Sequence, residues 1–128
     1  MIILLDTSTP VCKLTLVDGD QQFHDEWQAE RTLAKNLLTF LRNQLQIRQK
    51  TFDDITGIGV MKGPGSFTGL RIGLTVLNTI ADTRQVPIVG TTGEDWQTEA
   101  LRRLTAGENE QIVLPLYGRE ATITTPRK

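Results

Sequence analysis

The most chemically suggestive part of the chain is a glycine-rich loop, residues 63–73, with the sequence GPGSFTGLRIG. A strand-like apolar run precedes it and a helical pattern follows, and loops in that position can hold a phosphate on free helix amides. A Walker A loop needs a lysine after its last glycine, and no lysine follows Gly69. A dinucleotide-binding loop needs Gly-x-Gly-x-x-Gly, but Thr68 stands where the third glycine belongs. The spacing instead favours a structural turn in which Ser66 or Thr68 caps the helix.

A second polar element, Asp6-Thr7-Ser8-Thr9, ends the first apolar run. Its acidic residue and small hydroxyl residues resemble the phosphate loop of the actin and sugar-kinase superfamily, and Asp6 would then hold a nucleotide or Mg²⁺. Those loops normally place a glycine after the aspartate, where this chain has Thr7 and Ser8. The alternative is a turn in which Asp6 accepts hydrogen bonds from backbone amides, and this is the interpretation we favour.

Other reactive residue types are sparse. His24 and Cys12 are the single histidine and the single cysteine, so the chain lacks the ligand spacing of a zinc site and cannot form an internal disulfide. Ser66 has no histidine partner that the sequence can nominate beyond His24, which disfavours a hydrolytic triad. We therefore expect no catalytic residues, no metal and no cofactor, and a binding module rather than an enzyme.

Length and composition indicate one globular domain spanning residues 1–128. Hydrophobic residues make up 38% of the chain and the formal net charge is −1, which gives no sign of a polyanion-binding surface. No apolar stretch approaches the roughly 20 residues needed to span a bilayer. The N-terminus lacks the basic region of a signal peptide. We expect a cytoplasmic protein without a membrane contact.

The order of apolar patterns predicts an α/β fold with a mixed sheet. An antiparallel three-strand meander comes first, and a β-α-β-α series and a C-terminal hairpin follow. The predicted strands are 2–6, 13–17, 22–27, 55–61 and 86–89, with a hairpin of 112–116 and 121–125. The predicted helices are 32–47, 70–83 and a third, capped by Thr91 or Thr92, that ends near residue 104.

The first two predicted helices are more apolar than one contact with a sheet requires. Their apolar residues cover arcs of about 180° and about 200°, whereas a stripe of about 100° is enough for one sheet face. This surplus predicts a second apolar neighbour, and we favour an intermolecular helical interface. The alternative is that the two helices are simply buried against each other.

Residues 3–9 and 63–73 together resemble the bacterial TsaB (YeaZ) family. This resemblance implies an actin-like/RNase H-like fold and a non-catalytic subunit in the synthesis of N6-threonylcarbamoyladenosine at position 37 of tRNA. It further implies a heterodimer with the catalytic paralogue TsaD through the first two helices, and a homodimer when the chain is alone. A TsaE-type ATPase would join the complex, and tRNA would be contacted only through it.

The resemblance also implies roles for individual residues. Partner contacts would come from Leu33, Leu37, Phe40, Leu41, Arg71, Ile72, Gly73, Val76, Thr79, Ile80 and Thr83, with Gly73 letting the partner helix approach. The structural loop that sets the angle of the second helix would comprise Asp6, Thr7, Ser8, Gly63, Pro64, Gly65, Ser66, Thr68 and Gly69. The alternatives are a small ATP-dependent phosphotransferase or nucleotide-binding protein that uses Asp6, and a peptidase.

The chain departs from the family pattern in three ways. The second subdomain of typical members is largely absent from this sequence. Leu33 stands near the start of the first helix, where the family often has a histidine. Leu116-Tyr117-Gly118-Arg119 replaces the Asp-Ala-Arg segment that the family carries before its final hairpin.

Overall fold

A five-stranded mixed sheet forms the centre of the molecule, as seen in a computed structural model that describes residues 1–117. Its strands lie in the order β3-β2-β1-β4-β5. The pairs β1–β2 and β2–β3 are antiparallel, whereas β1–β4 and β4–β5 are parallel. Strand β1, the continuous apolar run, is central because it can be buried on both faces. The strands are β1 (Ile2–Asp6), β2 (Val11–Asp18), β3 (Gln21–Gln28), β4 (Gly57–Met61) and β5 (Ile88–Thr91).

Three α-helices cover the two faces of the sheet: α1 (Leu33–Ile47), α2 (Phe67–Arg84) and α3 (Trp96–Thr105). Helices α1 and α2 pack on the face formed by alternate residues such as Ile3 and Leu5, and α3 packs on the opposite face against Leu4 and its neighbours. Helix α1 buries one narrow stripe at a spacing of four residues: Leu33, Leu37, Leu41 and Leu45. This arrangement leaves α1 and α2 side by side on the outside of the sheet.

The predicted α/β fold, with its meander followed by β-α-β-α, is confirmed. Two details differ. Helix α2 begins at Phe67 rather than at residue 70. Thr91 and Thr92 do not cap α3: Thr91 is the buried last residue of β5, its hydroxyl donates to the Trp96 carbonyl at 2.7 Å, and the helix begins only at Trp96.

The predicted strand at 112–116 is wrong, because this segment is irregular. The backbone of Val113 in this segment is hydrogen-bonded by the side chain of Asn78 on α2. The Asn78 amide nitrogen donates to the Val113 carbonyl and the Asn78 amide oxygen accepts from the Val113 N–H, both at 2.9 Å. The other predicted half of the hairpin, 121–125, lies outside the described residues.

Within residues 1–117, no helix combines the length and the apolar character that crossing a bilayer requires.

Candidate functional site

The turn after β1 lies directly on the N-terminal half of α2. The Thr7 hydroxyl donates to the Gly69 carbonyl at 2.8 Å, and the Ser66 N–H donates to the Ser8 carbonyl at the same distance. A Cβ atom at Gly69 would overlap the Thr7 carbonyl oxygen. A Cβ atom at Gly65 would lie 2.5 Å from Ser8 Cβ. The glycines of the 63–73 motif are therefore needed because another part of the same chain approaches the helix backbone.

Gly73 belongs to the same close contact, which corrects the expectation that it admits a partner helix. A Cβ atom there would overlap the Thr7 hydroxyl oxygen and lie 2.9 Å from Thr7 Cγ2. Thr7 is itself only 1% exposed. The missing side chain at position 73 thus makes room for Thr7 rather than for a second protein.

Asp6 is engaged within its own turn. Its Oδ1 accepts hydrogen bonds from the Ser8 N–H at 2.8 Å and from the Ser8 hydroxyl at 2.6 Å. Asp6 is only partly buried. The next residue of the turn, Thr7, is hydrogen-bonded to the backbone of α2. The chemistry of this carboxylate is that of a turn-forming residue.

The loop that leads into α2 is shaped by Gly63 and Ser66. Gly63 has φ +126°, and a Cβ atom there would overlap the Leu116 carbonyl oxygen, so only glycine fits. The next peptide bond, to Pro64, is cis. Ser66 is the N-cap of α2, and its Oγ accepts from the Gly69 N–H at 3.1 Å. Thr68, the other predicted cap, lies exposed in the first turn of the helix.

Several residues expected to touch a partner lie inside this chain instead. Leu37 and Leu41 are fully buried and Leu33 is 5% exposed, all three beneath α1 in the main core. Phe40 is half-buried and stacks on Trp27 of β3, with ring centroids 5.1 Å apart. The sequence arc of about 180° therefore merges two surfaces: a stripe in the core and a separate exposed flank.

The exposed flank forms an open apolar groove of about 330 Å³ between α1 and α2. Leu38, 53% exposed, forms the α1 wall. We call this surface the helical groove, and its lining comprises Leu38, Phe52, Thr75, Val76, Thr79, Ile80, Thr83 and Arg84. Of the predicted partner residues, Val76, Thr79, Ile80 and Thr83 line it, although Ile80 itself is only 8% exposed.

Sequence reasoning missed four residues of the helical groove as site residues: Leu38, Phe52, Thr75 and Arg84. Leu38 and Thr75 carry a signal that could have identified them. Leu38 stands one position away from the buried four-residue stripe of α1, and Thr75 precedes the half-buried Val76 on α2. Phe52 carries no such signal, because it belongs to a short 3-10 turn, Phe52–Asp54, between α1 and β4.

The remaining predicted partner residues lie at the N-terminal end of α2. Arg71 is exposed, and its guanidinium carbon lies 5.2 Å from the centroid of the Phe67 ring. Ile72 is half-buried and lines a second cleft, of about 490 Å³, between the start of α2 and the segment around Glu30.

The two residues considered for nucleophilic or metal chemistry are both held in structural contacts. Cys12 is 1% exposed, and burial, with a smaller contribution from the charge of Asp6, raises the pKa of its thiol to about 12. His24 Nδ1 lies 2.9 Å from the Thr15 hydroxyl on the neighbouring strand. Residues 1–117 contain no group of three or more His, Cys, Asp or Glu side chains placed to hold a metal ion.

Comparison with known proteins identifies the family. A family model described as TsaD: tRNA N6-adenosine threonylcarbamoyltransferase matches residues 27–124. The tRNA threonylcarbamoyladenosine biosynthesis protein TsaB of Haemophilus influenzae is 27% identical over 84% of this chain and 46% of its own length. The TsaB protein of Bacillus subtilis is 51% identical over 68% of this chain and 38% of its own length.

Solved structures agree with these relatives. YeaZ from Pseudomonas aeruginosa superposes with a TM-score of 0.65 at 27% identity, over 71% of this chain and 42% of that one. The chain thus spans less than half the length of the curated relatives it matches. On the family model, the curated relatives and the shared fold, the chain belongs to the TsaD family and, within it, to the TsaB (YeaZ) proteins.

Proposed function

We propose that the chain acts in tRNA threonylcarbamoyladenosine biosynthesis as a non-catalytic subunit that binds and stabilises a TsaD catalytic subunit. The observation that carries this proposal is the helical groove, an open apolar surface between the two helices on one face of the sheet. On this proposal tRNA and a TsaE-type ATPase are engaged through the complex. Relatives that match this chain are named for this pathway, which supports the proposal.

The helical groove has the composition of a protein-binding surface. Its α1 wall is the exposed Leu38 side chain and its α2 wall is the half-buried Val76, while Phe52 closes one side. Burying a leucine side chain completely is worth about 1.5–3 kcal/mol, and roughly half of Leu38 is still exposed to water. A partner helix that covers this groove would gain that remaining free energy.

The groups that could have performed catalysis support a binding role. The Asp6 carboxylate accepts two hydrogen bonds from Ser8, and the Ser66 hydroxyl oxygen caps α2. The Cys12 thiol is buried and its raised pKa keeps it protonated. These contacts favour the scaffold over a phosphotransferase that uses Asp6.

The proposal is tested by binding of purified TsaD to three forms of the chain, measured by titration calorimetry. Leu38→Ala removes the α1 wall of the helical groove, and we expect the dissociation constant to rise about tenfold, because central apolar anchors typically cost more than 1 kcal/mol when truncated. Ile47→Ala is the matched control, since Ile47 is an exposed apolar residue of the same helix that is not part of the groove lining.

Thermal unfolding of the three forms separates binding from folding. Leu38→Ala and Ile47→Ala should both leave the melting temperature close to that of the parent chain, because each side chain is at least half exposed. Equal affinities for TsaD in all three forms would contradict the proposal. Micromolar binding of ATP and Mg²⁺ by the isolated chain would favour the phosphotransferase alternative.

A further inference from the structure

Strand β5 is an edge strand of the sheet, paired with β4 on one side. The carbonyls of Pro87 and Thr91 accept hydrogen bonds on the β4 side, so the backbone groups of the alternate residues, Ile88 and Gly90, point to the outside of the sheet. An edge strand with free backbone groups is a template for pairing with another chain. The sequence of β5, IVGT, contains no charged residue that would discourage such pairing.

All four outward groups of β5 are nevertheless hydrogen-bonded within the chain. The Ile88 N–H donates to Asn109 Oδ1 at 3.1 Å, and the Ile88 carbonyl accepts from the Glu110 N–H at 2.8 Å. The Gly90 N–H donates to Glu110 Oε2 at 2.8 Å, and the Gly90 carbonyl accepts from the Arg103 guanidinium at 3.0 Å. Side chains provide three of the four partners. The β5 edge is therefore saturated without a sixth strand.

The groups that close the edge are themselves held in place. The Glu110 carboxylate forms an ion pair with Arg103 of α3 at 3.0 Å, and both side chains are partly buried. The Val113 side chain covers the edge further along, because a Cβ atom at Gly90 would overlap Val113 Cγ1. The segment after α3 is thus anchored to the edge at successive points.

We propose that Arg103, Asn109 and Glu110 form an edge guard that keeps β5 from pairing with the β5 edge of a second copy of this chain. Two β5 strands related by a two-fold axis can pair antiparallel with Ile88 opposite Gly90 of the second copy. That register satisfies the N–H and carbonyl groups of both residues on each copy. Because β5 is uncharged, no like charges oppose each other in this pairing.

The edge guard limits the surfaces through which the chain can associate. With the outward groups of β5 engaged, an added strand finds no free backbone partner at this edge. The inference is independent of the proposed function, because neither β5 nor the edge guard belongs to the lining of the helical groove.

The test removes the two side-chain acceptors of the edge guard. Asn109→Ala/Glu110→Ala leaves the N–H groups of Ile88 and Gly90 without these partners. Asn109→Asp/Glu110→Gln is the matched control, because it keeps an acceptor oxygen at both positions and leaves the net charge unchanged. Circular dichroism is used to check that each variant is folded. Amide hydrogen exchange by NMR and sedimentation velocity are then measured at low and at high protein concentration.

In dilute solution we expect the Ile88 and Gly90 amides of Asn109→Ala/Glu110→Ala to exchange about tenfold faster than in the parent chain and the control, as each loses one hydrogen bond. At high concentration the same two amides should regain their protection while the variant sediments as a larger species. The parent and the control should show no dependence on concentration at these amides, even if they associate through another surface.

Equal exchange of Ile88 and Gly90 in the alanine variant and the parent would overturn the inference. Faster exchange that no protein concentration reverses would overturn it as well, because the freed edge then does not pair with a second copy. If the double variant does not fold, Asn109→Ala and Glu110→Ala are measured separately. Each frees one N–H, and concentration-dependent protection confined to that amide supports the inference, whereas its absence in both overturns it.

Discussion

Gly73 of α2 lies directly against Thr7 in the turn after β1, so that a Cβ atom at position 73 would overlap Thr7 Oγ1. The Thr7 hydroxyl in turn donates to the Gly69 carbonyl, one helical turn earlier. The turn at residues 6–9, whose sequence resembles a phosphate loop, is thus hydrogen-bonded to the glycine motif 63–73 of the same chain. Two features that each suggested ligand chemistry in the sequence form one structural contact.

Gly73→Ala should destabilise the fold by about 1–3 kcal/mol, because the added methyl group overpacks a buried site. Gly57→Ala is the control: its Cβ would contact Leu104 at 3.5 Å, an ordinary distance, so we expect little change. Urea unfolding followed by circular dichroism measures both. In a double-mutant cycle, Thr7→Ala should offset part of the Gly73→Ala cost, and strict additivity would contradict the contact.

Ser66→Ala should lower the free energy of unfolding by about 1 kcal/mol, because the Gly69 N–H loses its capping acceptor. Ser66→Asp should retain most of the stability, since its carboxylate can accept the same bond. Thr68→Ala, an exposed position in the first turn of α2, is the control. If Thr68→Ala costs as much as Ser66→Ala in chemical denaturation, the capping assignment fails.

Because the pKa of the Cys12 thiol is raised in the folded chain, we expect the protein to lose stability at alkaline pH. The folded-state pKa of this thiol is raised from 9.0 to about 12, so the contribution is complete below pH 9 and is lost between pH 9 and about 12, as the unfolded chain ionises first. We expect a slope approaching about 1.4 kcal/mol per pH unit in that window. Cys12→Ala removes this component, so the difference between the two unfolding curves isolates it. Parallel pH dependences for the two proteins would contradict the prediction.

We expect the Asn78 side chain to stabilise the 112–116 segment. Asn78→Ala removes both hydrogen bonds to Val113 and should cost about 1–3 kcal/mol, since Val113 is buried. Asn78→Asp keeps the acceptor for the Val113 N–H but places a second carboxylate oxygen against the Val113 carbonyl, so it should cost at least as much as Asn78→Ala. Amide hydrogen exchange at Val113 reports the change directly, and unchanged protection in Asn78→Ala would refute the role of this side chain.

The fold was predictable from local patterns because these reflect local burial. The continuous apolar run of β1 indicated a central strand, and the periodicity of α1 and α2 indicated two helices beside it. The candidate site was less predictable, because the sequence does not show which neighbour a glycine or an apolar residue packs against. The missing side chain of Gly73 makes room for Thr7 of the same chain. Leu38 is exposed although the adjacent Leu37 is buried.

Hydrogen–deuterium exchange of the chain with and without TsaD tests the central claim most directly. We predict that TsaD protects the backbone amides of residues 34–42 and 75–84, which carry the helical groove, and leaves β3 and α3 unchanged. Protection confined to β3, to α3 or to the turn at residues 6–9, with the groove helices unaffected, would contradict this account.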